Sequence, residues 1–223
     1  MKSEFVRKLF DNISNNYDKL NNIMTFGLHN LIKKDVFENL SIKEPKKILD
    51  LCTGTGDIAF ILHKKYPTAE IVGMDFSQKM LEIAKKKHQS INFVQGNCMG
   101  LPFEGESFDA CTISFGLRNV ENIEKVVDEI HRVLKKGGVF VNLDLGKPNK
   151  FFNFFLKPYM YIWVAFLGKV FHGDETPYRY LAESNEDFPS PEKLVKIYEK
   201  TGFKDVKKKD YLFGQISMQK GVK

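Results

Sequence analysis

The stretch Ile48 to Ala59, ILDLCTGTGDIA, runs from an apolar strand pattern into Gly54-Thr55-Gly56 and then into the first turn of a helix. A strand, a glycine turn and a helix in that order open a βαβ unit, where glycine lets the backbone approach a ligand closely. Outward from it, short apolar runs alternate with helical patterns: Lys47 to Leu51, helix to about Lys65, Glu70 to Met74, helix to about His88, Ile91 to Val94, then Ala110 to Ser114. That rhythm predicts an α/β fold with a mostly parallel sheet and helices on both faces. A helix is expected from Ile123 to Leu134, capped by Lys135-Lys136-Gly137-Gly138, before a strand from Val139 to Leu145. Pro191 opens another helix and Gly202 ends it; strands Lys204 to Lys209 and Tyr211 to Met218 then form an antiparallel C-terminal hairpin. Ahead of the sheet, apolar residues through Leu40 predict two helices around breaks at Asn21-Asn22 and Gly27. One domain is expected, divided into a helical cap (1–42), a ligand-binding core (43–146), an aromatic lid (147–188) and a terminal helix with hairpin (189–223).

Composition fits that reading. With 223 residues, 43% hydrophobic and 28% charged, the chain lies in the globular range and outside the disordered one. At 25.8 kDa a single core buries about 70% of the unfolded surface, so no disulfide or metal is needed for stability. Cys52, Cys98 and Cys111 include no CxxC pair and predict reduced thiols, a cytoplasmic location and no metal. Lys2, Glu4, Arg7, Lys8 and Asp11 interrupt any signal-like apolar run. The net charge of +6 permits an anionic partner, either nucleic acid or a membrane surface. One segment stands apart: Phe151 to Phe171 is dense in aromatics and holds the only tryptophan, Trp163. Lys157, Pro158 and Lys169 leave it too little uncharged length for a transmembrane helix, which takes about 20 apolar residues.

The glycine loop alone fits GxGxxA, so a dinucleotide site and a purely structural turn both stay open. Charge favours a third ligand. Asp50 and Asp57 bracket the loop, which opposes a pyrophosphate and suits a cation such as S-adenosylmethionine, with its sulfonium and ammonium groups. Asp75, at the end of the next strand, is placed to take both ribose hydroxyls, and Asn97 to meet an adenine edge. Taken singly, the plainer readings are turn and helix-end residues. Strand ends converge at the ligand crevice of such sheets, which puts Ser114 through Asn119 at the reaction centre, with Arg118 and Asn119 as substrate contacts.

Several further motifs carry a resemblance over nearly the whole chain. They are Phe10-Asp11-Asn12-Ile13 through Tyr17-Asp18, Phe26-Gly27-Leu28-His29, Leu101-Pro102-Phe103, Phe115-Gly116-Leu117-Arg118-Asn119 and Tyr178-Arg179-Tyr180-Leu181. With the glycine loop and Asp75-Phe76-Ser77, they resemble the UbiE/MenG family of class I methyltransferases, which C-methylate ubiquinone and menaquinone precursors. The resemblance implies a Rossmann-like seven-stranded sheet and S-adenosylmethionine as cofactor. It also implies Thr55, Asp75, Asn97, Cys98 and Ser114 as cofactor residues beside Asp50, Gly54 and Gly56. The acceptor it implies is a prenylated quinol, with demethylmenaquinol favoured.

For that chemistry Arg118 is the electrostatic candidate, Asn119 the group that orients the hydroxyl, and Tyr17, Asp18, His172, Asp174 and Tyr178 the candidates to accept or relay a proton. The segment 151–171 is expected to admit the prenyl tail and touch the membrane peripherally; ordinary core and a homodimer interface are its alternatives. Nucleic acid is not expected as a partner. The place after the fourth strand reads SFGLR rather than a D/N-P-P-Y/F tetrapeptide, and no cysteine follows a proline.

Overall fold

The strand carrying the glycine loop, β1 (Lys47–Leu51), lies inside a seven-stranded sheet. It pairs in parallel with β2 (Glu70–Asp75) on one side and β4 (Phe108–Ser114) on the other. Beyond β2 lies β3 (Asn92–Gln95), and beyond β4 lies β5 (Leu134–Leu145), both parallel. The order finishes with β7 (Ile216–Val222) and β6 (Lys204–Tyr211), so the sheet reads β3-β2-β1-β4-β5-β7-β6 with an antiparallel hairpin at one edge. The computed structural model describes residues 2–38, 40, 42–148, 154, 180 and 184–223. Most of the expected aromatic lid, including nearly all of 151–171, lies outside them, as do His172, Asp174 and Tyr178.

Two apolar layers flank the sheet. On one face Ile48, Ile71 and Val141 pack against α4 (Asp57–Lys65), α5 (Gln78–Lys87) and the cap helix α3 (Leu28–Glu38). On the other, Leu49, Val72, Cys111 and Phe140 pack against α6 (Ile123–Val133) and α7 (Pro191–Thr201). Alternation of Ile48 and Leu49 to opposite layers is the period-two signature of a strand buried on both sides.

Three local expectations are corrected. The cap contains three helices rather than two: α1 (Lys2–Ile13), α2 (Tyr17–Thr25) and α3. The break falls at Ser14–Asn16, where Ser14 Oγ donates to the Asp11 carbonyl and competes with the helical ladder, whereas Asn21 and Asn22 lie inside α2. The Lys135–Gly138 run does not cap α6. Leu134 already has extended geometry and pairs with Phe108, and the following residues bulge out before Val139 pairs with Ala110. Gly137, at φ +76°, then donates its N–H to the Lys223 carbonyl. In the terminal hairpin Tyr211 belongs to β6 opposite Ile216, so the turn spans Leu212 to Gln215.

That turn docks on the end of β5. The Gly146 N–H donates to the Gln215 carbonyl at 2.9 Å, and a Cβ at Gly146 would collide with the Gly214 carbonyl oxygen. Backbone cannot swing aside as a side-chain tip can. Gly146→Ala is expected to destabilise by about 1–3 kcal/mol, which at about 2–4 °C per kcal/mol lowers the thermal midpoint by several degrees; an unchanged melting curve would show that the turn is not seated there.

Candidate active site

The carboxyl ends of β1, β2 and β4 open into one cleft. Val6, Arg7 and Phe10 from α1 and Tyr17 from α2 line its cap side. The cap is tied to the sheet by polar contacts. Ser77 Oγ donates to Asp11, Thr55 Oγ1 donates to Asp18 at 2.8 Å, and Lys87 bridges Asp18 and Asp57.

The loop after β1 takes its shape from left-handed residues at Cys52, Gly54 and Gly56, with φ of +52°, +57° and +86°. Asp75 organises it from the end of β2: its carboxylate accepts the Gly54 N–H and the Ser77 N–H, each at 2.8 Å. Burial pushes the Asp75 carboxyl up, against the pull of donors at Ser77, Gly54 and Phe76. Asp75 also lines the cleft. Asp50 does not. Its carboxylate is buried among polar partners, accepting from Thr53 at 2.6 Å and Thr112 at 2.7 Å, and burial pushes its pKa up to about 6. Asp57 is likewise spent away from the cleft: burial raises its pKa, but Lys33 and Lys87 more than offset this and hold it low. The negative side chains bracketing the loop therefore build it, and Asp75 is the one that meets the cleft.

Asn97 makes the turn expected of its residue type. Its Oδ1 accepts the Met99 N–H at 2.9 Å and shapes the turn after β3, while the residue lines the cleft with its amide N–H groups left for a ligand. Cys98 and Cys52 also line it. The neighbouring Cys98 thiol, with burial, pushes Cys52 up, and Cys52 in turn holds Cys98 down.

After β4 the chain turns at Phe115, φ +54°, and a Cβ at Gly116 would collide with Cys52. The Phe115 carbonyl accepts the Arg118 guanidinium at 2.7 Å and the Asn119 amide at 3.3 Å. Arg118 is buried and pairs with Asp144 on β5 at 2.7 Å; Asp144 also accepts the Arg118 backbone N–H at 3.2 Å. Among the described residues, Ser114 Oγ and Asn119 Oδ1 are buried acceptors without a partner, in two residues that line the cleft; Asn119 is 9% exposed. A buried acceptor left unmade costs about 1–3 kcal/mol, so such atoms mark where a ligand is received.

Of the site residues expected from the sequence, Gly54, Asp75, Asn97, Cys98, Ser114, Asn119 and Tyr17 meet around one cleft. Asp50, Thr55 and Gly56 stand behind the loop, and Arg118 stands behind Asn119 on the side of Tyr180 and Phe188. Sequence reasoning missed Asp144. An acid within the apolar strand Val139 to Leu145 is itself a signal, because a buried carboxylate requires a cationic or donor partner.

Comparison with known proteins follows this geometry. The description of the ubiE/COQ5 methyltransferase family matches residues 1–223. The chain belongs to that family. Relatives include the demethylmenaquinone methyltransferase of Thermotoga maritima, 43% identical over 88% of this chain and 86% of the other. That of Staphylococcus saprophyticus is 39% identical over 100% and 97%. Solved structures share the fold at lower identity. A SAM-dependent methyltransferase of Thermotoga maritima has a TM-score of 0.68 at 21% identity over 97% and 99% of the two chains. The [4+2]-cyclase SpnF has 0.69 at 15% over 98% and 94%, which illustrates that this fold alone does not fix a reaction. As a member of the family the chain is a methyltransferase whose cofactor is S-adenosylmethionine, and its cleft fits that cofactor. The crevice lies at the strand ends, an acid stands at the end of β2, and Ser114 Oγ awaits a partner.

Two predictions follow from the buried carboxylates. Asp50 has a folded-state pKa raised above its ordinary value, so its ionisation opposes folding, and stability falls as pH rises from about 4 through 6. A shift of roughly two units corresponds to about 3 kcal/mol. Asp50→Asn should therefore gain stability relative to the parent chain as pH rises from about 4 to 6, read as diverging melting temperatures; parallel curves across that range would remove the assignment. Asp144→Ala removes the carboxylate that the buried Arg118 guanidinium meets at 2.7 Å, a loss of about 3–5 kcal/mol, whereas replacing both members by Arg118→Met and Asp144→Leu should cost less. Thermal unfolding of both variants decides this, and a double variant less stable than Asp144→Ala would contradict it.

Proposed function

We propose that this methyltransferase transfers the methyl group of S-adenosylmethionine to a ring carbon of reduced demethylmenaquinone. The names of relatives 39–43% identical along nearly the whole chain support this acceptor. The observation that carries the site assignment is Asn119. Its amide donates to the Phe115 carbonyl, and its Oδ1 is buried without a partner among the described residues, in a side chain that lines the cleft, so that it can accept a phenolic O–H.

S-adenosylmethionine, when bound, supplies an electrophilic methyl on a positively charged sulfur. Asp75 would hold its ribose hydroxyls, Asn97 and Cys98 its adenine, and Gly54 and Ser114 the remainder, while Asp50, Thr55 and Gly56 keep the loop in shape. The acceptor carbon becomes nucleophilic when a neighbouring hydroxyl loses its proton, and ionising a phenol of pKa near 10 at pH 7 costs about 4 kcal/mol. Tyr17 is a phenol inside the same cleft and senses what such a hydroxyl meets: burial pushes it up, and the Arg118 charge pulls it down. Arg118 therefore favours the phenolate through its field and keeps Asn119 in place through their shared acceptor at Phe115. Tyr17, held neutral by burial, serves as a hydrogen-bond donor to the acceptor oxygen rather than as the base. The aromatic segment 151–171 gives the prenyl tail an apolar route and the chain a peripheral membrane contact.

The test incubates the protein with methyl-labelled S-adenosylmethionine and a short-tailed reduced demethylmenaquinone, with a reduced benzoquinone precursor in parallel. Label is expected in the naphthoquinol; label in neither, with cofactor binding confirmed, would overturn the acceptor. In the same assay Asn119→Ala should lower kcat by about 10²–10³-fold and leave cofactor affinity within a few fold, and unchanged turnover would remove Asn119 from the reaction.

A further inference from the structure

The large apolar side chains left exposed among the described residues are unevenly placed. Phe76 follows the last residue of β2 directly, and Phe5 stands on α1, which covers the cleft. Leu212 and Phe213, the latter 68% exposed, form the hairpin tip that docks beyond the end of β5 through Gly146. Next to that tip, Lys209 and Tyr211 bond Asp35 on α3. Leu31 and Leu28 lie one and two turns before Asp35 on the same helix face, and Phe26 precedes them at the α2–α3 corner. Phe26 is 76% exposed and Leu31 64%. The carboxyl end of α3 reaches the opposite end of the sheet, where the Leu40 carbonyl accepts Tyr66 from the end of α4, so Phe26 and Leu28 point back toward the cleft end. At the amino end of the strands, Lys46, Glu70 and Lys136 face solvent instead.

Phe26, Leu212 and Phe213 also have positive φ, of 49°, 48° and 55°. Left-handed backbone is uncommon for residues other than glycine, and here it holds apolar side chains outward at turns. Exposed lysines lie among them: Lys79 beside Phe76, together with Lys8 on α1, Lys209 at the hairpin and Lys147 after β5, which meet Glu4, Asp35 and the Asn185 and Glu186 carbonyls respectively. Apolar tips interleaved with lysines match an anionic lipid surface, and a chain of net charge +6 repels its own copies while such a surface attracts it.

We propose that the cleft end of the molecule is a docking surface for an anionic phospholipid bilayer, with Phe26, Leu31 and Leu212 entering the interface. The proposal rests on the reading of the acceptor as a prenylated quinol, which resides in a bilayer. It sets the cleft against the lipid that holds the acceptor.

The test floats the full chain with vesicles of phosphatidylcholine alone and of phosphatidylcholine with phosphatidylglycerol, with no acceptor present. The variant is Phe26→Asn with Leu31→Gln and Leu212→Asn; asparagine tolerates the left-handed positions, none of the three residues lines the cleft, and thermal unfolding verifies the fold. The parent chain should bind the anionic vesicles and the variant at least tenfold less. Turnover of a short-tailed acceptor in solution should be equal, and turnover of a long-tailed acceptor in vesicles should fall in parallel with binding. Equal vesicle binding by the two proteins, or none by the parent, overturns the surface, as does a parent dimer lost in the variant with vesicle binding intact. Vesicle binding that depends on these residues in a protein that methylates neither quinol would remove the acceptor and leave the surface standing.

Discussion

Parallel strands end together, and the loops leaving them carry backbone N–H groups that no ladder satisfies. In this chain buried acids at those ends answer that constraint. Asp75 at the end of β2 takes N–H groups from Gly54 and Ser77; Asp144 near the end of β5 takes the Arg118 N–H and its guanidinium. Asp50 near the end of β1 takes the hydroxyls of Thr53 and Thr112. Each carboxylate costs desolvation and repays it by fixing one loop of the cleft. The site is thus shaped from behind, and Asp75 alone of these three does so while facing the ligand space.

This arrangement separates two kinds of charge. The positive excess of the chain lies largely on exposed lysines, while the polar groups lining the cleft include the acids Asp75 and Glu121, the cation Arg7, the amides Asn97 and Asn119, the hydroxyls of Tyr17 and Ser114 and two thiols. A cationic methyl donor suits that interior. Where lysines approach the loop, at Lys33 and Lys87, they are held by Asp57 and Asp18 and serve to latch the cap helices. Arg118 departs from the pattern: it is buried, and its field reaches both Tyr17 and Tyr180. Its pairing with Asp144 at 2.7 Å fixes its position.

The sheet was legible because period-two burial and glycine punctuation are local signals. The run from Ile48 to Gly56 announced its strand, turn and helix, and the alternation through Ser114 announced the parallel order. What local pattern could not decide was competition between equally good local uses. Lys135–Gly138 has the composition of a helix cap, yet Leu134 pairs with Phe108 and converts the run into a bulge. Asn21-Asn22 looks like a break, yet both fit within α2 because Ser14 had already ended the preceding helix. The cleft residues were found where chemistry and position coincide, as at Asp75, Asn97 and Asn119. Asp50 and Thr55 carry suitable chemistry, but their side chains are turned to partners distant in sequence, and no spacing rule reveals that. Asp144 shows the converse: nothing near it in the chain explains its charge, and its partner is 26 residues away.

The cap explains why the reaction space can be dry. An already activated methyl donor needs little from the protein except alignment and exclusion of water. Val6, Phe10 and Tyr17 cover the cleft, and the latches at Asp11 and Asp18 hold them to the same loops that Asp75 and Thr55 shape. The cover is therefore joined to the loops after β1 and β2 by one hydrogen bond from each, Thr55 to Asp18 of α2 and Ser77 to Asp11 of α1. On the cap side Phe10 and Tyr17 stand with Arg7, so an acceptor hydroxyl bound beside Asn119 would be partly desolvated. The field of Arg118 then acts at the low local dielectric where it has most effect.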